Sequence, residues 1–214
     1  MTPYIICYWA AAFCIMGGLL AGKLRIASIL AFAPMFYLIA ARGLVGVDSA
    51  FYLLQFETIR YQGMLGSSFE PGFSFIIQIM TFYFADSFDL LIFLGCASAA
   101  LLLLAALMLE REPFLFISLA LPYFLFDMSM NGLRYGLAFA LVALGSVALT
   151  RDRRWIFLLC VAGAASIQLT SVLLAATVWT LIEARLKIFV TLAFLGATAL
   201  YFFGEYIGDK ASQN

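Results

Sequence analysis

The sequence predicts an all-α polytopic membrane protein: about six spanning helices, an interfacial or re-entrant helix near residues 71–85 and a broken helical hairpin near 155–182. Three observations carry that expectation. Of 214 residues, 65% are hydrophobic and 11% are charged. A soluble domain carries about 25% charged residues, so too little polar surface remains to coat a soluble globule. The charges also cluster, cutting the chain into uncharged runs. Finally, those runs sort by length into ones that match a hydrocarbon core of about 30 Å and ones that do not.

Taken in order, residues 1–22 are uncharged and end at Lys23-Leu24-Arg25. Positive charge following the apolar stretch, with no basic segment before it, argues for an anchor with its N-terminus outside rather than a signal peptide. Residues 26–41 form a second run, closed by Arg42. A polar stretch, 42–70, follows, and then the run 71–85, which is short for a span. Residues 90–109 are long enough to cross. Pro113 suits the first turn of another helix, expected to reach Asn131. Residues 135–150 lie between Arg134 and the basic cluster Arg151-Asp152-Arg153-Arg154. Residues 155–182 would measure about 42 Å as one helix, beyond the core thickness. An interruption is therefore expected there, at Gly163-Ala164-Ala165-Ser166. Residues 188–204 are the last apolar run.

Counting basic residues selects the topology. If every run crosses, Arg42 and Arg134 fall on opposite faces and the charge bias is poor. With 71–85 at the interface and 155–182 dipping in and returning, eight of the 12 basic residues share one side. That agrees with the positive-inside rule. Cytoplasmic loops are then expected at 23–25, 151–154 and 183–187, and an outer loop at 42–72, all within one transmembrane domain covering 1–214. Arg42, Asp48, Glu57, Arg60, Glu70, Asp127, Asn131 and Arg134 gather on the outer face.

Composition excludes several chemistries. Twelve basic and twelve acidic residues leave no net charge, which argues against a nucleic-acid partner. With no histidine, His-ligated metals, histidine triads and histidine proton shuttles are impossible. No C-x-x-C exists, and Cys7, Cys14, Cys96 and Cys160 read as small packing residues in apolar runs. No metal or cofactor is called for.

Four polar constellations remain. Asp48, Tyr52 and Gln55 are spaced to share one face of a short helix. Glu57 and Arg60 are spaced as a surface ion pair. Glu70-Pro71-Gly72-Phe73 places a carboxylate just before a helix start, where it either complements the helix dipole or serves a site. Met130-Asn131-Gly132-Leu133-Arg134-Tyr135-Gly136 joins two apolar runs, with Asn131 and Arg134 on one face. Arg134 either snorkels, pairs with Asp127, or recognises an anion through its bidentate fork.

The order Arg42-Gly43-x-x-Gly46-x-Asp48-x-x-x-Tyr52, then Glu70-Pro71-Gly72-Phe73, then Asn131-x-x-Arg134-x-Gly136-x-Ala138 resembles the EpsG family of bacterial exopolysaccharide and O-antigen polymerases, the Wzy-like enzymes. Two departures accompany the resemblance. Where the family carries a Phe-His-x-Ser-Ala-like element, this chain reads Ile167-Gln168-Leu169-Thr170-Ser171. The chain is also short for the family, as though truncated at its C-terminus.

The resemblance implies a membrane glycosyltransferase of the bacterial inner membrane. At its outer face a polyprenyl-diphosphate-linked glycan would be transferred onto a second lipid-linked repeat unit, in exopolysaccharide, O-antigen or capsule biosynthesis. Arg42 and Arg134 would hold the diphosphate, Asp48 or Glu70 would act as base, and Asn131 and Tyr52 would orient groups. Gln168 would line the cavity. The implied partners are the lipid-linked oligosaccharide, the bilayer, and a chain-length regulator and flippase of the same pathway. Two other readings stand beside this one: a non-catalytic binder or transporter component for lipid-linked sugars, and an inactive truncated family member.

Overall fold

The computed structural model describes residues 2–22, 24–41, 48–109 and 132–182. The runs expected at 113–131 and 188–204 lie outside the described residues, as do Arg42, Asp127, Asn131 and the basic loop 183–187. Eight α-helices and one 3-10 turn, with no strand, are found among the described residues. They are α1 (Thr2–Leu20), α2 (Leu24–Ala40), α3 (Ser49–Gln62), α4 (Pro71–Met80), α5 (Ser87–Met108), α6 (Leu133–Thr150), α7 (Arg154–Ile167) and α8 (Ser171–Ile182). The chain divides into two units, Met1–Val172 and Leu173–Asn214. All that follows concerns the first.

Two described helices, α5 and α6, are long and apolar enough to cross a membrane, at about 33 and 27 Å. The other apolar stretches run 10–17 residues. The core joins α1, α2, α5 and α6 through Ala11, Ile15, Ala31, Phe32, Met35, Ile39, Ala99, Leu102, Ala106 and Ala140. Five of these ten are alanines, which let helix backbones approach closely. Large side chains point the other way: Trp9 and Phe13 on α1 and Leu159 on α7 are exposed. Such outward apolar faces are consistent with a membrane protein. All four cysteines are free, and Cys160 packs its Cβ where Gly145 leaves room.

The C-terminal ends of α5 and α6 meet, where Arg151 donates to the Met108 carbonyl. The two helices therefore run parallel. The chain then reverses sharply. Asp152 takes φ 59°, Asp152 N–H donates to Leu149 O at 3.0 Å and Arg153 N–H to Ala148 O at 2.9 Å. This is a Schellman stop, with Asp in the left-handed position usually held by Gly. α7 then returns antiparallel along α6. Arg151, Asp152 and Arg153 thus lie at one end of the bundle, and the starts of α5 and α6 and the finish of α7 at the other.

Several expectations shift. The helix expected near 71–85 ends at Met80, where the backbone tightens: Phe82 N–H turns to Ile79 O and Tyr83 N–H to Met80 O. α5 begins earlier than the uncharged run, at Ser87, because the Asp86 carboxylate accepts from Phe88 N–H at 2.8 Å and caps it. The break within 155–182 does not fall at Gly163-Ala164-Ala165-Ser166, which remain helical. It falls at Gln168-Leu169-Thr170, with Gln168 extended at φ −152°, ψ 111°. The small residues serve packing instead: Gly163 faces Leu141, and Ser166 sits against Gly72.

The Glu57–Arg60 pair is more than a surface pair. Arg60 donates to Glu57 at 3.1 Å and to the Phe84 carbonyl at 2.9 Å, and Ser87 also donates to Glu57. The pair therefore ties α3 to the turn entering α5, a tertiary role that the i, i+3 spacing alone does not reveal.

Candidate functional site

The site is assembled from α3, the start of α4 and the start of α6. Along α3, Ser49, Tyr52, Phe56 and Ile59 are buried, a helical stripe that turns one face inward. Tyr52 meets Phe69 at 5.6 Å and Phe73 at 6.4 Å between ring centroids, and Phe69 meets Phe73 edge-on at 5.1 Å. Serines secure the approach to α4: Ser74 Oγ donates to Ser67 Oγ, which accepts from Phe69 N–H, each at 3.0 Å. Gln55 accepts from Ser68 N–H at 3.1 Å. The chain is thus held so that Glu70 emerges directly after Phe69.

Glu70 occupies the N-cap position of α4, but its carboxylate caps nothing. It accepts instead from Arg134 Nη1, 64 residues along the chain. The alternative of a carboxylate complementing its own helix is therefore corrected: the partner is an arginine on another helix. Arg134 likewise pairs with Glu70 rather than snorkelling freely. Its guanidinium lies over the Phe69 ring, 4.7 Å from the centroid, where the π-face attracts a cation. Among the described residues the buried Nε of Arg134 has no hydrogen-bond partner.

The start of α6 is met by another element too. Gly132 offers no side-chain cap, and Tyr52 Oη from α3 accepts from Arg134 N–H at 3.4 Å. Burial pushes the Tyr52 hydroxyl above its ordinary pKa, Asp48 adding to the rise while Arg134 opposes it. Tyr52 thus enters the site as a neutral phenol.

Asp48 behaves differently from the expected face. It precedes α3, makes no side-chain capping bond and is exposed, while Tyr52 is buried and Gln55 turns to Ser68. The three do not act as one face.

A second polar group lies at the break between α7 and α8. Gln168 and Ser171 are buried, 6% and 0% exposed. Gln168 Nε2 donates to Thr170 Oγ1 at 3.3 Å, while Gln168 Oε1 and Ser171 Oγ have no partner among the described residues. The α6–α7 register places this segment. Gly145 faces Phe157 and Cys160, and Gly163 faces Leu141. Continued along the antiparallel pair, that offset sets Ile167, the last residue of α7, level with a point about one turn inside the start of α6. Gly72 makes the link to α4: a Cβ there would lie 2.3 Å from Ser166 Oγ and 2.6 Å from the Ser166 carbonyl oxygen.

The structure therefore brings Tyr52, Glu70 and Arg134 together, and Gln168 follows the finish of α7 at the same end of the bundle. Asp48 stands at the margin, and Arg42 and Asn131 lie outside the described residues. Three participants carry no sequence signal of their own: Phe69 as the floor under Arg134, Ser166 as the stop against Gly72, and Ser171 as a buried hydroxyl. Among the described residues no group of three or more His, Cys, Asp or Glu could hold a metal ion.

The described elements are all helical, with outward apolar faces consistent with a membrane protein, and an arginine–carboxylate pair over an aromatic ring marks a charged site at one end. The chain belongs to the EpsG family, whose model matches residues 25–212. Comparison with curated proteins and with solved structures gives no match.

Proposed function

We propose that this protein is a polysaccharide polymerase of the inner membrane, transferring a polyprenyl-diphosphate-linked glycan onto a second lipid-linked repeat unit at the outer face. Family membership supports an exopolysaccharide-related, polymerase-like function. The observation that carries the finer reading is Arg134, paired and stacked yet with its Nε buried and unpartnered. An arginine held in place by one carboxylate, with N–H groups remaining, suits diphosphate oxygens and their growing charge. In this reading the acceptor hydroxyl oxygen attacks the anomeric carbon. The anomeric C–O bond to the diphosphate breaks, and the diphosphate leaves with the electron pair. A carboxylate takes the hydroxyl proton. Glu70 is engaged by Arg134, so Asp48, exposed and uncommitted to a cap, is the better-placed base, with Glu70 holding the arginine. Arg42 and Asn131 complete the proposed set.

The test uses purified protein with lipid-linked repeat units, reading donor binding and product length separately. General-base assistance contributes about 10²–10⁴ in rate. Asp48→Asn is therefore expected to bind donor as wild type does and to form essentially no longer glycan. Glu70→Gln should weaken both, since it releases Arg134. If both amide variants polymerise normally, carboxylate catalysis is wrong. If wild type binds donor but never extends it with its pathway partners present, the non-catalytic binder is the better reading. Gln168, which cannot carry a proton, favours the reading as an inactive family member over a catalyst.

The six-span topology has its own test. In a cysteine-free background, Ser68→Cys should react with an impermeant thiol reagent from outside, and Asp152→Cys only after permeabilisation. These positions lie at opposite ends of the bundle. Labelling of both from one side would defeat the six-span arrangement.

A further inference from the structure

The break between α7 and α8 leaves two buried polar groups without hydrogen-bond partners among the described residues. Gln168 Oε1 and Ser171 Oγ are withdrawn from water and bonded to nothing among the described residues. Each such group costs free energy comparable to a lost hydrogen bond, so a native chain that keeps two in one four-residue segment calls for an explanation. Neither group is needed to close the break. The backbone does that itself, with Gln168 O accepting from Ser171 N–H at 3.0 Å and Leu169 O from Val172 N–H at 3.1 Å. At the same end of the bundle stands Arg134, whose Nε is also buried and without a partner among the described residues. The break after α7, the start of α6 and three orphan polar atoms therefore lie at one end of the bundle.

The chemistry of those atoms selects a ligand. An amide oxygen only accepts, and so does an ionised phosphate oxygen, so phosphate cannot satisfy Gln168 Oε1. A hydroxyl both donates and accepts. It can give its hydrogen to Gln168 Oε1 and still accept from Ser171 Oγ or from Arg134 Nε. The lack of a formal charge on Gln168 and Ser171 fits a neutral ring and offers nothing extra to an anion.

We infer that Gln168 and Ser171 form a neutral sugar subsite, which holds hydroxyls of the glycan ring next to the diphosphate while Arg134 takes the diphosphate itself. This rests on the function proposed above and divides that site into a charged half and a neutral half. Gln168 then acts as a hydrogen-bonding residue for sugar rather than a proton carrier.

The experiment measures binding of two probes to full-length protein in nanodiscs: sugar-free polyprenyl diphosphate, and the lipid-linked glycan extracted from the source bacterium. Gln168→Met keeps length and removes both amide groups. It should weaken the glycan lipid about tenfold, the loss expected for one or two hydrogen bonds, and leave the sugar-free lipid unchanged. Ser171→Ala should weaken the glycan lipid several-fold without lowering the melting temperature, since it removes an unsatisfied buried hydroxyl. A purely structural serine would lower it. Equal weakening of both lipids by Gln168→Met would overturn the subsite, as would wild-type affinity for the glycan lipid in both variants. Failure of wild type to bind either lipid would instead sink the proposed function, so the two failures are distinguishable.

Discussion

Arg134→Lys is expected to abolish polymer while leaving protein level and single-repeat lipid-linked glycan intact. Arg134 meets three demands at once. Its Nη1 donates to Glu70, its flat face covers the Phe69 ring at 4.7 Å, and its Nε points into a buried, unpartnered position. Lysine can satisfy the first. Its compact ammonium cannot lie flat on a ring and present a second, separately aimed donor. If Arg134 stabilises the leaving diphosphate, loss of that donor geometry should cost about 10²–10³ in rate, as for other charge-stabilising donors. The readout is polymer length and yield in cells carrying the variant as the sole copy, with purified protein assayed for extension. Wild-type polymer would show that a point charge suffices, and Arg134 would be demoted to a structural partner of Glu70.

Gly72→Ala should be nearly as damaging, although residue 72 touches no substrate in the proposed mechanism. The new methyl carbon would lie 2.5 Å from Ser166 Cβ and 2.6 Å from the Ser166 carbonyl oxygen. A side-chain end can swing away, but a backbone carbonyl inside α7 cannot. The start of α4 must therefore move away from the end of α7. Glu70, two residues upstream, moves with it and drags on Arg134. Overpacking of this kind costs about 1–3 kcal/mol in stability, and a misplacement of about 1 Å can cost 10²-fold in rate. The expected result is a lowered melting temperature together with a loss of polymer greater than the loss of folded protein. Adding Ser166→Gly removes the Cβ and Oγ but leaves the carbonyl, so it should restore part of both. Normal polymer from Gly72→Ala would mean that the α4–α7 contact does not position the pair.

Much of the architecture was legible because it follows from local chemistry. Uncharged runs such as 90–109 and 135–150 have one stable outcome in an apolar setting, since a helix satisfies every backbone group internally. Pro71 marks a helix start through its missing N–H, a local effect. The excess length of residues 155–182 foretold a break by arithmetic. Its position could not be read in the same way. Small residues look like a weak point, yet in Gly163-Ala164-Ala165-Ser166 they are where α7 admits its neighbours.

The sequence by itself determined the helical class, the short α4, the parting of the basic cluster from Glu70 and Arg134, and the motifs that place the chain in its family. Only the tertiary structure decided the partners. Glu70 and Arg134 are 64 residues apart, and nothing local distinguishes a carboxylate that caps its own helix from one that grips another helix's arginine. The same holds for Arg60 with Phe84, for Tyr52 with the start of α6, and for the stop of Ser166 against Gly72. The physical reason is common to all four. A helix's formation depends on residues within a turn or two, whereas the satisfaction of a charge or an N–H depends on whichever element packing brings within about 3 Å.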